Sequence, residues 1–141
     1  MKKILFLLCL IVLTAACALD DDNNKQFHVE FLPVESVELP ESMSPGHEYE
    51  IKVNFRRPSD CYYFDGFYYE ANEHIRTVAV QALYIENANC APIVSTQPDS
   101  QSFILKCPEN YSFDTYLFKF YKGEDAVGNQ IYLEQEVPVT Y

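Results

Sequence analysis

Residues 47–57 read HEYEIKVNFRR, which is the clearest strand pattern in the chain. Every second residue is aliphatic or aromatic, and the residues between them are polar or charged. The apolar set is Tyr49, Ile51, Val53 and Phe55. Because successive side chains of a β-strand point to opposite faces, this spacing predicts a strand with one face in a core and the other in water.

The same period of two extends over most of the chain. It predicts further strands at residues 29–39, 61–70, 75–86, 103–107, 115–121 and 130–139. Pro33 interrupts the first of these, and its missing N–H suits an edge strand or a switch between sheets. One sheet cannot bury so many apolar faces, so about seven strands predict an all-β, two-sheet antiparallel sandwich of the immunoglobulin-like kind.

Residues 61–70 read CYYFDGFYYE and carry aromatic rings on both faces. Strict alternation divides the rings into two sets, Tyr63, Phe67 and Tyr69 against Tyr62, Phe64 and Tyr68. Only one set can enter the core. The second set is therefore a candidate binding patch for a protein or a glycan, unless the long connection at residues 88–100 covers it.

The N-terminus has the features of a secretion signal. Lys2 and Lys3 precede an apolar run at residues 4–13, and small residues follow before Cys17. The apolar run is shorter than the roughly 20 residues that span a bilayer. We therefore expect a signal peptide at residues 1–16, an acidic tether at 17–27 and the sandwich domain at 28–141.

The sequence Thr14-Ala15-Ala16-Cys17 resembles the lipobox of bacterial lipoproteins. The resemblance implies that Cys17 carries acyl chains, which anchor the protein firmly to a membrane. The acidic run at residues 20–22 resembles the surface-export signal of Bacteroidota lipoproteins. It implies an outer-membrane protein exposed at the cell surface; a periplasmic position, with the acidic run as a solvated tether, is the alternative.

The sandwich region also resembles small secreted Bacteroidota lipoproteins of unknown function. The matching features are Pro45-Gly46 before Tyr-x-Ile-x-Val, Arg57-Pro58 before Cys61-Tyr62, Arg76-Thr77-Val78-Ala79-Val80, and Tyr116-x-Phe-x-Phe leading to Gly123-x-Asp125. The resemblance implies an all-β extracytoplasmic domain. It assigns no catalytic residue.

Three cysteines belong to the predicted domain. Cys61 and Cys90 each lie at the end of a predicted strand, in a compartment that permits disulfides, so we pair them. Cys107 continues an alternating apolar set, and we expect it to be a buried thiol that packs like a small hydrophobic residue.

Charge and motifs restrict the function. Without Lys2 and Lys3 the chain has 8 basic and 21 acidic side chains, a formal charge of −13, which disfavours nucleic acid as a partner. The histidines lack metal-ligand spacing, and there is no Gly-x-Ser-x-Gly motif. We therefore assign no catalytic residue, metal or cofactor.

The loop at residues 124–129 and the function of the whole protein each allow more than one interpretation. Residues 124–129 (EDAVGN) form either a polar hairpin turn or a calcium site. For the whole protein, the sequence favours a non-catalytic binding or assembly module of the cell envelope. The alternatives are a structural accessory subunit of an envelope or secretion complex and a small extracytoplasmic hydrolase.

Overall fold

A computed structural model describes residues 26–141, and its regular secondary structure is entirely β. The strands are β1 (Phe27–Leu32), β2 (Val34–Glu38), β3 (Glu48–Phe55), β4 (Tyr62–Asn72), β5 (Ile75–Ile85), β6 (Asp99–Lys106), β7 (Thr115–Glu124) and β8 (Gln130–Pro138). The predicted signal peptide, Cys17 and nearly all of the predicted tether lie outside the described residues. Within residues 26–141, no helix has the length and apolar character needed to cross a bilayer.

The strands form the two sheets of the predicted sandwich. One sheet has three antiparallel strands in the order β2-β3-β6. The other has five strands, with β4 and β8 at its edges. In this sheet β5 pairs with β4 along one side, while its other side is shared between β1, at residues 80–85, and β7, at residues 75–78.

One pairing differs from the purely antiparallel arrangement predicted from the sequence. The four-residue pairing of β5 with β7 is parallel, whereas the other strand pairings are antiparallel. Between β5 and β7 the chain crosses to the three-stranded sheet and forms β6. It can therefore return to the five-stranded sheet in the same direction as β5, as parallel pairing requires.

Pro33 marks a switch between the two sheets, as one of the two sequence interpretations proposed. The strand β1 ends at Leu32 in one sheet, and β2 begins at Val34 in the other. Both flanking side chains are buried, and Pro33 itself is exposed. The first predicted strand is therefore two strands, which raises the count from about seven to eight.

The core lies between the sheets and is rich in aromatic rings. Ile51, Val53 and Phe55 of β3 enter it, as the alternation in residues 47–57 predicted. The alternating rings of β7 face them from the other sheet and have no exposed surface; they are Tyr116, Phe118 and Phe120. Burial of these faces supplies the main driving force for folding.

The predicted pairing of Cys61 with Cys90 is confirmed, with 5.5 Å between the two Cα atoms. The bond ties the connection between β5 and β6 to the segment before β4. The N–H of Asp60 donates to the carbonyl of Ala91 at 3.1 Å, and the N–H of Ile93 donates to the carbonyl of Pro58 at 3.3 Å. The connection is thus held beside this segment, and it does not cover Tyr68, which is 40% exposed.

The free thiol of Cys107 is fully buried, as predicted, and lies beside a buried arginine. The hydroxyl of Tyr116 donates to Cys107 Sγ at 3.3 Å. The Arg76 guanidinium lies 4.8 Å from the centre of the Tyr116 ring, and its Nη1 donates to the carbonyls of Glu73 and Ile75, each at 2.8 Å. The arginine charge is thus accommodated by an aromatic face and main-chain carbonyls.

Candidate functional site

A β-bulge in β4 determines which of its aromatic rings face solvent. Phe64 pairs with Ala82 and Gly66 pairs with Gln81, so that Asp65 is an extra residue on the β4 side. Gly66 has a φ of +150°, which side chains with a Cβ rarely adopt. Because the bulge adds one residue, the alternation of side chains changes phase after Asp65.

Because of the bulge, the predicted set Tyr62, Phe64 and Tyr68 does not lie on one face of the sheet. The first two are partly buried and pack against the core, together with Phe67. The Phe64 ring lies 5.9 Å from that of Phe55 in the opposite sheet. Tyr68 lies on the other face of the sheet, with Tyr63, and these two side chains are 40% and 50% exposed. Of the predicted patch, only Tyr68 belongs to the outer surface.

We define the outer face as the side of the five-stranded sheet that points away from the three-stranded sheet. It contains a groove of about 260 Å³. Two small side chains of the central strand β5, Thr77 and Ala79, form its floor. The residues around them are larger, so the depth of the groove arises from this difference in side-chain size.

Four aromatic rings from four strands form the walls, and they are Phe31 of β1, Tyr68 of β4, Tyr121 of β7 and Tyr132 of β8. The ring centre of Phe31 lies 5.6 Å from that of Tyr68 and 5.9 Å from that of Tyr121. The rings of Tyr121 and Tyr132 are 6.4 Å apart. The rings therefore follow one another in the order Tyr68, Phe31, Tyr121 and Tyr132 along the border of a small floor. We call this feature the aromatic groove.

Polar groups complete the lining of the aromatic groove. The Tyr68 hydroxyl donates to Glu70 Oε2 at 3.0 Å, and the Tyr132 hydroxyl donates to Gln130 Oε1 at 2.6 Å. The hydrogen bond to the Glu70 carboxylate raises the pKa of Tyr68, and burial raises the pKa of Tyr121. Both phenols are thus neutral near pH 7. Glu70 and Gln130 leave the groove with acceptors and donors of hydrogen bonds beside its rings.

Lys119 precedes Tyr121 by two positions and lies on the same outer face of the sheet. Its Nζ lies 3.0 Å from Glu134 Oε1 and 5.1 Å from the centre of the Tyr132 ring. The ammonium group is thus paired with a carboxylate and packed on an aromatic face. In the part of the chain that the structure describes, Glu70 is the one charged residue that lines the groove itself.

A second concavity, of about 350 Å³, opens between the edges of the two sheets. It is lined by Phe67, Tyr69, Phe103, Ile104 and Leu105, from β4 and β6. Within the described part of the chain, each of these strands pairs on one side only. Ile104 is 62% exposed there. We call this concavity the apolar edge cavity.

The loop at residues 124–129 has the geometry of a hairpin turn. The Asp125 carboxylate accepts hydrogen bonds from the N–H groups of Val127 and Asn129, both at 2.9 Å, and from the Asn129 side-chain amide at 3.0 Å. These bonds hold the pKa of Asp125 below its usual range. A calcium ion bound to Asp125 would compete with these hydrogen bonds. Gly123 lies within β7, at a bulge, so this strand extends beyond the predicted end at residue 121.

Asp60, Cys61 and Cys90 also come together, with their ligand atoms within 4.8 Å of one another. The two sulfurs are joined in the disulfide, so neither is available as a thiolate ligand. The Asp60 carboxylate accepts a hydrogen bond from the N–H of Ala91 at 2.8 Å. This cluster therefore stabilises the connection between β5 and β6 and provides no metal centre.

Three groove residues, Phe31, Tyr121 and Tyr132, are not among the site residues predicted from the sequence. They belong to strands that are distant in sequence, and no local motif links them. Alternation along β7 does place Tyr121 opposite the buried rings, so its outward position followed from the pattern. Its proximity to Phe31 depends on the unusual sharing of one side of β5 by β1 and β7.

Comparisons of this chain with known protein families, with curated proteins and with solved structures give no match.

Proposed function

We propose that this chain is a lipid-anchored protein of the bacterial cell envelope, whose sandwich domain is a non-catalytic binding module. The aromatic groove is its binding surface. The resemblance of residues 14–17 to a lipobox and the acidic run that follows support an anchored and surface-exposed domain. The side chains of the groove support binding, since they combine exposed rings with hydrogen-bonding groups.

One observation carries the binding proposal. Four rings converge on the face of the sheet that does not contribute to the core, and Phe31 and Tyr68 there are 37% and 40% exposed. The core between the sheets already contains fully buried rings, including those of Tyr116 and Phe118. Burial within the domain therefore does not account for the rings of the outer face, whereas contact with a ligand does.

To test whether the aromatic groove binds a ligand, the protein is immobilised and exposed to polysaccharides and proteins of the cell exterior. We expect at least one component to bind the natural protein. The same component should not bind the Ala79→Leu variant, in which the larger side chain fills the groove floor. Tyr63→Ala is the matched control, because it removes an exposed ring of the same face that does not line the groove. If all three proteins retain the same components, the groove is not the binding surface.

The anchor and the location require a separate test. Labelled palmitate should be incorporated into the natural protein and not into Cys17→Ser. Protease added to intact cells should digest a surface-exposed domain. Protection of the domain in intact cells, followed by digestion after lysis, would instead place it on the periplasmic side.

The apolar edge cavity supports a second candidate function, as a structural accessory subunit. Exposed Ile104 lies beside two strand edges that are unpaired in the described residues, an arrangement that accepts an added strand. If the protein is such a subunit, Ile104→Glu should release it from an envelope complex, and Ala79→Leu should leave the complex intact.

A further inference from the structure

We propose that the ligand of the aromatic groove is an uncharged glycan whose sugar rings carry mainly equatorial hydroxyls. This inference rests on the proposed function and deepens it by naming the ligand class. Such sugars present a flat C–H face, which packs on an aromatic ring, and a rim of hydroxyls, which need both donors and acceptors. The aromatic groove supplies these two features together.

The arrangement of the groove matches the two parts of a sugar. The rings of Tyr121 and Tyr132 border one side of the floor, and Tyr68 borders the other. Glu70 and Gln130 lie at the periphery, each already accepting a hydrogen bond from a tyrosine hydroxyl. These bonds fix the orientation of the polar groups before a ligand arrives, which reduces the entropy lost on binding.

The sheet beneath the groove disfavours a peptide as the occupant. The floor strand β5 is paired on both of its sides, so its main chain has no free edge to which an extended peptide could add. Recognition over the floor therefore depends on side chains. The volume of about 260 Å³ is below the roughly 300–1,000 Å³ of sites that enclose drug-sized ligands, and it suits a ring-sized group.

Charge selects uncharged sugars over acidic ones. Among residues 26–141, the lining contains the Glu70 carboxylate and no basic side chain, and nearby Lys119 is paired with Glu134. The protein as a whole is acidic, with 10 basic and 21 acidic side chains in the full sequence. A uronic acid in the groove would face the Glu70 carboxylate, and this like-charge repulsion raises the free energy of the complex.

The test is an NMR titration of the full-length protein, purified in mild detergent, with tetrasaccharides of known linkage. The uncharged probes are β-1,4-glucose, β-1,3-glucose, β-1,4-xylose and N-acetylglucosamine tetramers, and the acidic probe is tetragalacturonate. We expect at least one uncharged probe to shift the amide signals of Thr77 and Ala79 in a saturable manner. The acidic probe should bind at least about tenfold more weakly, or not at all.

Variants connect the binding to the groove. Tyr121→Ala combined with Tyr132→Ala should weaken the best probe about tenfold or more, and Ala79→Leu should abolish its binding. Tyr63→Ala should bind normally. Thermal unfolding of each variant identifies any that fails to fold; Thr77→Phe then provides a second way to fill the floor.

Each result decides the inference. If no uncharged probe shifts the groove signals, or if tetragalacturonate binds as tightly, the glycan inference is wrong. If Ala79→Leu loses a captured protein while no sugar binds, the glycan inference fails and the proposed binding function stands. If groove variants retain every ligand of the natural protein, both fail.

Discussion

At the scale of single residues, the buried Arg76 is the most consequential charged group of the domain. It is 6% exposed, lies over the Tyr116 ring and donates to two main-chain carbonyls near the start of β5. Arg76→Ala removes these contacts and leaves the carbonyls without their donor. We expect the free energy of unfolding to fall by about 2–4 kcal/mol in urea denaturation.

Arg76→Lys separates charge from geometry. Lysine keeps the positive charge but lacks the planar fork that stacks on Tyr116 and donates to both carbonyls. Its stability should lie between those of the natural protein and the alanine variant. A change of less than about 0.5 kcal/mol on Arg76→Ala would contradict the structural role assigned to the arginine.

The raised pKa of Tyr111 should make the folded domain less stable at alkaline pH. Burial raises its pKa to about 12, whereas an exposed tyrosine titrates near 10. Between these values the unfolded chain loses the phenol proton first, so rising pH favours unfolding. Urea denaturation from pH 9 to 12 should show falling stability, and Tyr111→Phe should reduce the slope. An unchanged slope in that variant would show that Tyr111 does not contribute.

At the scale of elements, the bulge in β4 decides which face each aromatic ring occupies. Gly66 adopts a φ of +150°, and a Cβ placed there meets no atom within 4 Å. The effect of Gly66→Ala should therefore come from backbone strain, at about 1–3 kcal/mol of lost stability. Asp65→Ala is the control, since its exposed contact with Gln81 should contribute less than about 0.5 kcal/mol. Equal effects of the two substitutions would argue against strain at Gly66.

The disulfide between Cys61 and Cys90 should stabilise the domain. It joins residues 29 positions apart, and the loss of such a loop constraint costs about 3–4 kcal/mol on the chain-entropy treatment. Cys61→Ala with Cys90→Ala should lower the urea midpoint to that of the reduced natural protein. Reducing agent should then have no further effect on the double variant. If reduction leaves the midpoint of the natural protein unchanged, the bond does not stabilise the domain.

The elements also show where prediction from sequence succeeds. Alternation in residues 47–57 and along β7 identified the buried faces, because regular strands preserve the period of two. The strand-end positions of Cys61 and Cys90 identified the disulfide. The same rule gave the wrong partners for Tyr68, because one extra residue at Asp65 changes the phase. Gly66, an isolated glycine within a strand pattern, was the available signal for a bulge.

At the scale of the whole molecule, the aromatic groove arises from topology. Phe31 approaches Tyr121 because β1 and β7 both lie along one side of β5. That arrangement follows from two excursions of the chain into the three-stranded sheet, one after Pro33 and one through β6. Neither the parallel pairing nor the groove could be predicted from local patterns, because each depends on contacts between distant segments.

A ligand of the aromatic groove would cover the outer face of the five-stranded sheet. Hydroxyl-radical footprinting of the protein, with and without the material it retains, measures this directly. We predict that the ligand protects Tyr68, Tyr121 and Tyr132 from oxidation and leaves Tyr63 unchanged. The opposite result is protection of Tyr69 and Ile104 at the apolar edge cavity, with the groove tyrosines equally oxidised in both samples. That result would show that the aromatic groove is not the binding surface.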